Sequence, residues 1–300
     1  MSSLSVVVPA TDAPATLEEC IHAIEAASDP PEELIVVDAP QDLGPAAARN
    51  LGARRATSEV VVFVDSDVVV QEDVFRRIRM TFAREPGLTA VFGSYDDDPR
   101  ADGFVSSFRN LLHHHIHQAA AGPATTFWAG LGAIRRDDFL ASGGFDEASF
   151  PQPSIEDIDL GMRLVDRGAR IILDPELQGK HLKPWTLAEM ISTDFGARGV
   201  PWVTLLLRRG SSSSALNLGW RHRSTAAASV ALIAALVRGR LWRSASLALL
   251  IVALNRSFYR VILRRRGPAA AVAALPLHVL HHLVGVAALP AGLGRHLLRR

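Results

Sequence analysis

Cysteine is nearly absent: Cys20 is the single one in 300 residues, which excludes an internal disulfide and leaves a thiol with no redox partner in its own chain. Acidic residues are missing from the whole C-terminal third, the last being Asp194. The opening stretch MSSLSVVVPA lacks a basic segment and a long apolar core, so no cleavable signal peptide is expected. No Gly-rich loop with Arg or Lys follows the first apolar run, which argues against a nucleotidyltransferase that cradles a triphosphate.

The missing acids make the net charge of +1 misleading. Residues 1–194 hold all 31 Asp and Glu against 16 Lys and Arg, 16 − 31 = −15, whereas residues 195–300 hold the other 16 basic residues, every one an Arg. An acidic unit followed by an all-arginine one points to a polyanionic surface as partner of the second. The arginines alternate with apolar stretches, Ser229 to Val237, Leu247 to Leu254 and Ala269 to Gly294, the last without a formal charge. That alternation favours membrane lipids and not nucleic acid, because about 20 apolar residues cross a bilayer and flanking Arg marks the cytoplasmic side. A water-soluble helical domain with an Ala-rich core is the blander alternative.

The apolar stretches differ in kind. Ser224 to Val237 and Ser244 to Leu254 are each short of a span, with Arg238, Arg240 and Arg243 between them, so a hairpin and an interfacial placement are both open. Asn255 to Gly267 mixes aromatic, aliphatic and Arg residues as an interfacial helix does. The stretch from Ala269, containing Pro276, Pro290, His278, His281 and His282, is long enough for a kinked or re-entrant span.

The acidic part alternates strand and helix patterns. Strands are expected over residues 4–10, 33–39, 59–67 and 89–94, and helices over Leu17 to Ala27, 45–56 and Glu72 to Arg84, the second with Pro45 at its first turn. Nearly continuous apolar strands between helices predict an α/β fold with a mostly parallel central sheet covered on both faces. Ligands of such sheets bind outside the carboxyl ends of the strands. Three strands end there in Pro9-Ala10-Thr11-Asp12, in Asp38, and in Asp65-Ser66-Asp67. Any one of these is an ordinary turn or helix cap. Three together indicate a ligand site.

The ordered set VVVPA, LIVVDA, AARNLGA, VVFVDSDVVV, FWAGLGAIRR, GGFDE and SIEDIDLGMRLVDRG resembles the family-2 glycosyltransferases of the membrane-associated bacterial type, over roughly residues 4 to 202. The resemblance implies a GT-A (nucleotide-diphospho-sugar transferase) domain over 1–203, a basic, Ser-rich linker over 204–223, and membrane-associated helices over 224–300. It implies that Asp67 holds Mn²⁺ or Mg²⁺, with His181 as a further metal ligand or diphosphate contact. Asp65 would lie against the ribose or reach the metal through water, and Pro9, Ala10, Asp12, Asp38 and Ser66 would complete the nucleotide-sugar subsite. Asp157 would be the general base, Glu156 would bind the acceptor or orient the site, and Trp128 and Gly130 would lie against the acceptor.

Two segments depart from that family pattern. Thr11-Asp12-Ala13 stands where Tyr-Asn-Glu is common, and Asp38 is followed by Ala39-Pro40-Gln41-Asp42 instead of a second Asp with Gly-Ser. They leave a UDP-sugar as the leading donor. Arg49 is open between a nucleotide contact and a solvated helix residue. His113 and His117 of HHHIHQ share a helix face without completing a ligand set. No Q-x-x-R-W motif is present, so single addition is expected in place of processive synthesis. The activity implied is inverting transfer of a sugar to a lipid-linked or envelope-glycan acceptor on the cytoplasmic face of the cell membrane. Its rivals are a polyprenyl-phosphate glycosyltransferase and a catalytically silent nucleotide-sugar-binding scaffold.

Overall fold

Val60 through Val64 are fully buried, as are Leu4 and Val6 to Val8, because each of these strands is covered on both faces. The computed structural model describes residues 2–210 and 219–298, which fall into two compact units, Met1–Arg100 with His117–Lys183, and Ala101–Ile116 with Pro184–Arg300. The expected boundary at residue 203 thus lies within the second unit. Part of the expected linker, 211–218, lies outside the described residues, while its flanks are helical.

The first unit opens with β1 (Leu4–Pro9), α1 (Leu17–Glu25), β2 (Glu33–Val37), α2 (Pro45–Arg55) and β3 (Val60–Val64). It continues through β4 (Val68–Val70), α3 (Val74–Arg84), β5 (Ala90–Tyr95), the end of α4 (Phe104–Ala119), β6 (Gly122–Ala124) and β7 (Leu131–Arg135). Helices α5 (Arg136–Ala141) and α6 (Glu156–Asp166) then lead to β8 (Ile171–His181). The sheet order is β2-β1-β3-β7-β5-β8-β4, with β6 on β8. β2, β1, β3, β5 and β8 run one way, and β7 and β4 run against them.

The apolar run expected as one strand over 59–67 is two. β3 stops at Val64, Asp65 to Asp67 form a turn closed by Val68 N–H donating to the Asp65 carbonyl at 3.0 Å, and β4 departs to pair with β8. Charged carboxylates cannot continue a strand buried on both faces without unpaired burial cost. The chain turns out at that point and resumes elsewhere in the same sheet.

Small residues set the helix distances. A side chain at Gly52 of α2 would come within 2.3 Å of Val7, and one at Gly161 of α6 within 2.2 Å of the Phe127 backbone nitrogen. Below the sheet Phe63 packs on Phe139 and Phe145, each with ring centroids 5.3 Å away, and on Phe127 at 6.4 Å.

The second unit contains the start of α4, α7 (Leu187–Ser192), a π-helical turn (Thr193–Gly199), α8 (Val200–Arg209), α9 (Trp220–Val237), α10 (Leu241–Leu254) and α11 (Arg256–Leu297). Thr186 and Glu189 form a reciprocal capping box at α7. α9 and α10 pack together as a hairpin. α11 breaks at Gly267 (φ 82°), just before Pro268, where the expected interfacial piece gives way to the expected span. It is the one helix among the described residues long and apolar enough to cross a membrane, and only 28% of its most apolar window is covered by protein. Along α11, Gly292 lies on Val203 and Ala288 on Gly199, so small residues let α8 and the π-turn approach closely. Asp194 sits buried between Arg109 at 2.7 Å and His281 at 2.7 Å.

The α6 contact has a direct test. Gly161→Ala places a methyl against fixed backbone, and overpacking of this kind costs about 1–3 kcal/mol. Urea unfolding of the first unit is expected to shift by at least that much, and an unchanged midpoint would show that α6 is free to move off residues 126–127.

Candidate active site

Arg49, open between two roles on sequence grounds, is 6% exposed and central. α2 aims it past the C-terminal end of β3. Its Nη2 donates to Asp65 Oδ1 at 2.5 Å and its Nη1 to Glu156 Oε1 at 3.0 Å. One guanidinium therefore ties the D-S-D turn to the start of α6, whose Glu156 lies 107 residues beyond Arg49. The two carboxylates hold Arg49 protonated despite its burial. Burial raises the Asp65 carboxyl, Arg49 opposes the rise and Asp67 adds to it.

Glu156 is committed inside the protein. Its second oxygen accepts from the Ser154 N–H at 2.9 Å and the residue is 5% exposed. Both Glu156 oxygens are thus engaged within the protein, one by Arg49 and one by the Ser154 backbone. Asp157 is different: partly buried, it accepts from the Ala129 N–H at 3.2 Å and from its neighbour Ile158 N–H at 2.8 Å. Burial and then the adjacent Glu156 charge push its carboxyl up to about 7, against the pull of Arg49.

Residues 128–130 hold both carboxylate sets. The Gly130 carbonyl accepts from the Asp65 N–H at 3.1 Å, while Ala129 serves Asp157. The space beside Gly130 is filled by the Trp128 indole, whose ring atoms lie 2.4 Å from where a Cβ would stand. Gly130 thus seats Trp128 and does not lie open beneath a substrate. The indole meets Tyr95 edge-on at 4.9 Å and His117 at 5.2 Å. His117 also bonds the Gly93 carbonyl through Nδ1 at 2.9 Å, which fixes its ring beside Trp128.

The strand register brings Asp67 and His181 together. Val68 pairs with His181 across β4 and β8, and Leu182 N–H donates to the Asp67 carbonyl at 2.8 Å. His181 Nε2 and Asp67 Oδ2 are then 3.3 Å apart, and Tyr95 stacks on the imidazole at 4.4 Å and 20°. Burial works to raise Asp67, but the His181 hydrogen bond and charge, with Lys183 behind them, hold it below the usual carboxylate range. A carboxylate oxygen and an imidazole nitrogen this close fit one divalent cation, with remaining positions for phosphate and water oxygens. Among the described residues no group of three or more His, Cys, Asp or Glu is arranged to hold a metal.

The ends of β1 and β2 form the other part of this edge. Pro9 pairs with Val37, and Ala10 N–H donates to the Val37 carbonyl at 2.9 Å. Asp12 and Asp38 are exposed. The two unusual loops are fastened to each other: Asp42 N–H donates to the Thr11 carbonyl at 3.2 Å, and the Thr11 hydroxyl donates to the Leu43 carbonyl. Ser66 receives the Thr16 hydroxyl on its carbonyl at 2.9 Å. Cys20 lies beneath, and burial followed by the Asp65 charge pushes its thiol up to about 12, leaving it inert.

Residues 39–142 match the family model for glycosyl transferase family 2. That span is similar to the family 2 glycosyltransferases, and the chain has the GT-A fold of the solved structures that follow. A pre-mycofactocin glycosyltransferase of Mycobacterium tuberculosis is 30% identical over 150 residues, covering 48% of this chain and 31% of that protein, so the chain spans about a third of the length of the curated relatives it matches. A mannosyltransferase from Pyrobaculum calidifontis, solved with GDP-Man and Mn²⁺, aligns over 100% of this chain and 88% of its own with TM-score 0.55 and 17% identity. S. aureus TarS 1-349 aligns over 94% and 90% with TM-score 0.50 and 13% identity. At these identities the solved structures establish the fold alone.

Arg49, Tyr95 and His117 are site residues that sequence reasoning left unassigned. The signal for Tyr95 was its place at the carboxyl end of β5, the same edge as the D-S-D turn. For Arg49 it was the alanine and glycine spacing of AARNLGA, which marks a helix buried on most sides.

Removing Arg49 tests the bridge. Arg49→Met leaves Glu156 charged and buried, a loss of about 3–5 kcal/mol, and Arg49→Lys fares little better because one ammonium cannot reproduce the fork. Denaturant unfolding measures it; a loss below about 1 kcal/mol, typical of a surface pair, would refute a structural bridge.

Proposed function

We propose that the protein is an inverting glycosyltransferase that moves a sugar from a nucleotide-diphosphate donor, a UDP-sugar, to a lipid-linked or envelope-glycan acceptor at the cytoplasmic membrane face. The observation that carries this reading is the Arg49 bridge, which sets a metal-competent carboxylate turn beside a carboxylate whose proton affinity is tuned to neutrality. A binding scaffold has no need of that tuning. The family 2 match and the GDP-Man and Mn²⁺ bound by the Pyrobaculum calidifontis mannosyltransferase support the donor class. The all-arginine charge of residues 195–300 and the length of α11 support the membrane placement.

Asp157 takes the proton of the acceptor hydroxyl. A base serves best when its pKa lies near the working pH, and burial with Glu156 places this carboxyl there. The Ala129 and Ile158 N–H groups fix its orientation. The acceptor oxygen attacks the anomeric carbon from the face opposite the diphosphate, the carbon–oxygen bond to the diphosphate breaks, and the configuration inverts. No enzyme nucleophile is required. Asp67 and His181 would hold Mn²⁺ or Mg²⁺, which when bound neutralises charge on the departing diphosphate. Asp65, fixed by Arg49, faces the ribose, while Pro9, Ala10, Asp12, Asp38 and Ser66 border the nucleoside. Trp128, braced by Tyr95 and His117, presents its ring to the acceptor sugar.

Asp157→Asn is expected to lower kcat about 10²–10⁴-fold with donor affinity retained, as for loss of a general base. In the native protein kcat/KM should rise with pH through about 7 and level off above it, since the carboxylate form is the active one. Near-full turnover by Asp157→Asn would instead favour a polyprenyl-phosphate acceptor, whose attacking oxygen already carries charge. For the metal, calorimetry with UDP and Mn²⁺ should give binding that EDTA and Asp67→Ala abolish. Metal-independent binding of every nucleotide tested would remove Asp67 from that role.

A further inference from the structure

The turn joining α9 to α10 is closed by backbone hydrogen bonds. Gly239, with φ 66°, ends α9, and its N–H and that of Arg240 close back on Leu236 at 3.0 Å and Ala235 at 2.9 Å. This is a Schellman closure, which fixes the turn instead of leaving it a loose tether. A fixed turn at a helix end ordinarily presents polar groups. Here Val237 is 83% exposed, Leu241 73% and Trp242 87%, among the most exposed large apolar side chains of the molecule.

Arginines interleave with them. Arg238, Arg240 and Arg243 are all exposed, and no acid occurs anywhere in residues 195–300 to neutralise them. Apolar side chains also continue outward along both helices, through Val230 and Ile233 on α9 and Leu249 on α10. Neither helix suits a crossing: at about 1.5 Å per residue, the 14 residues of α10 span roughly 21 Å, short of a hydrocarbon core of about 30 Å. α9, 18 residues long, carries Arg221, His222 and Arg223 in its first turn and is not apolar enough to span. Arg at the very tip would also oppose deep insertion.

We propose that the α9–α10 turn seats in the headgroup layer of an anionic phospholipid leaflet. Val237, Leu241 and Trp242 dip below the phosphates, and Arg238, Arg240 and Arg243 contact them. The charge pattern selects this occupant. An unbalanced cationic turn is complementary to phosphate, and a tryptophan beside aliphatic residues is the combination that settles at the boundary of headgroup and acyl chain. Such a seat is separate from any crossing by α11, and it makes attachment sensitive to lipid charge. The inference rests on the membrane placement proposed above and adds which turn makes the contact and which lipid class it selects.

The test uses the full chain carrying Trp242→Cys or Val237→Cys with a nitroxide spin label. Cys20 stays silent because it is buried. Arg84→Cys, on the surface of the first unit, is the aqueous reference. In vesicles of phosphatidylcholine with phosphatidylglycerol, labels at 237 and 242 are expected to gain accessibility to oxygen and lose it to a water-soluble nickel chelate. In pure phosphatidylcholine they are expected to stay closer to the reference. Replacing Arg238, Arg240 and Arg243 by Gln should lower the ratio of buried to aqueous label about fivefold per arginine removed.

Protein that sediments with vesicles while both labels remain as aqueous as position 84 would overturn the proposal and leave membrane attachment standing. Protein that does not sediment with anionic vesicles would remove both. Labels shielded without vesicles, in a species of twice the chain mass, would assign the turn to a second copy and likewise overturn it.

Discussion

A guanidinium buried between two carboxylates is the interaction on which the rest of the site depends. Arg49 supplies the positive charge that lets Asp65 and Glu156 stay inside the protein, and the three belong to segments far apart in the chain. Ion pairs of this kind are poor sources of net stability, because desolvation consumes much of the attraction. Their strength is geometric. A planar fork with two occupied arms fixes the distance between a turn and a helix more sharply than apolar packing does. Asp157 owes its raised proton affinity first to burial and then to the adjacent Glu156 charge, with Arg49 in opposition, so part of it comes from that arrangement.

The D-S-D turn follows from the same economy of charge. β3 is buried on both faces and cannot accept carboxylates, so the chain leaves the sheet at Val64 and rejoins it as β4 beside β8. That excursion gives His181 its place. The imidazole reaches Asp67 through the register of an antiparallel pair whose strands are separated by more than a hundred residues, and Tyr95 stacks on its other side.

Local periodicity was legible and long-range register was not. The runs ending at Pro9 and Val37, and the helices over 17–25, 45–55 and 74–84, stand within two residues of their expected limits. Each is encoded by apolar spacing in a short window. The division of 59–67 was missed because both halves are Val-rich and nothing in that window says which neighbour each will pair with. Arg49 was undecided for a related reason: a cation on a helix is ordinarily solvated, and its burial is visible only once Asp65 and Glu156 arrive from elsewhere. The motif at 156–157 was legible as a pair of acids, yet their different environments, one fully engaged and one partly open, come from the Ser154 and Ala129 backbone donors. At Gly130 the nearest occupant proved to be the indole two residues before it.

The loops after β1 and β2 are stitched together, Thr11 to Leu43 through its hydroxyl and to Asp42 through its carbonyl. Two segments that are independent in sequence therefore behave as one mechanical part. A substitution that moves either loop disturbs the bonds that hold the other, so the two respond to change together. Transplanting the loops of a relative one at a time would leave mismatched halves, and the smallest exchangeable module is residues 10–13 together with 39–43.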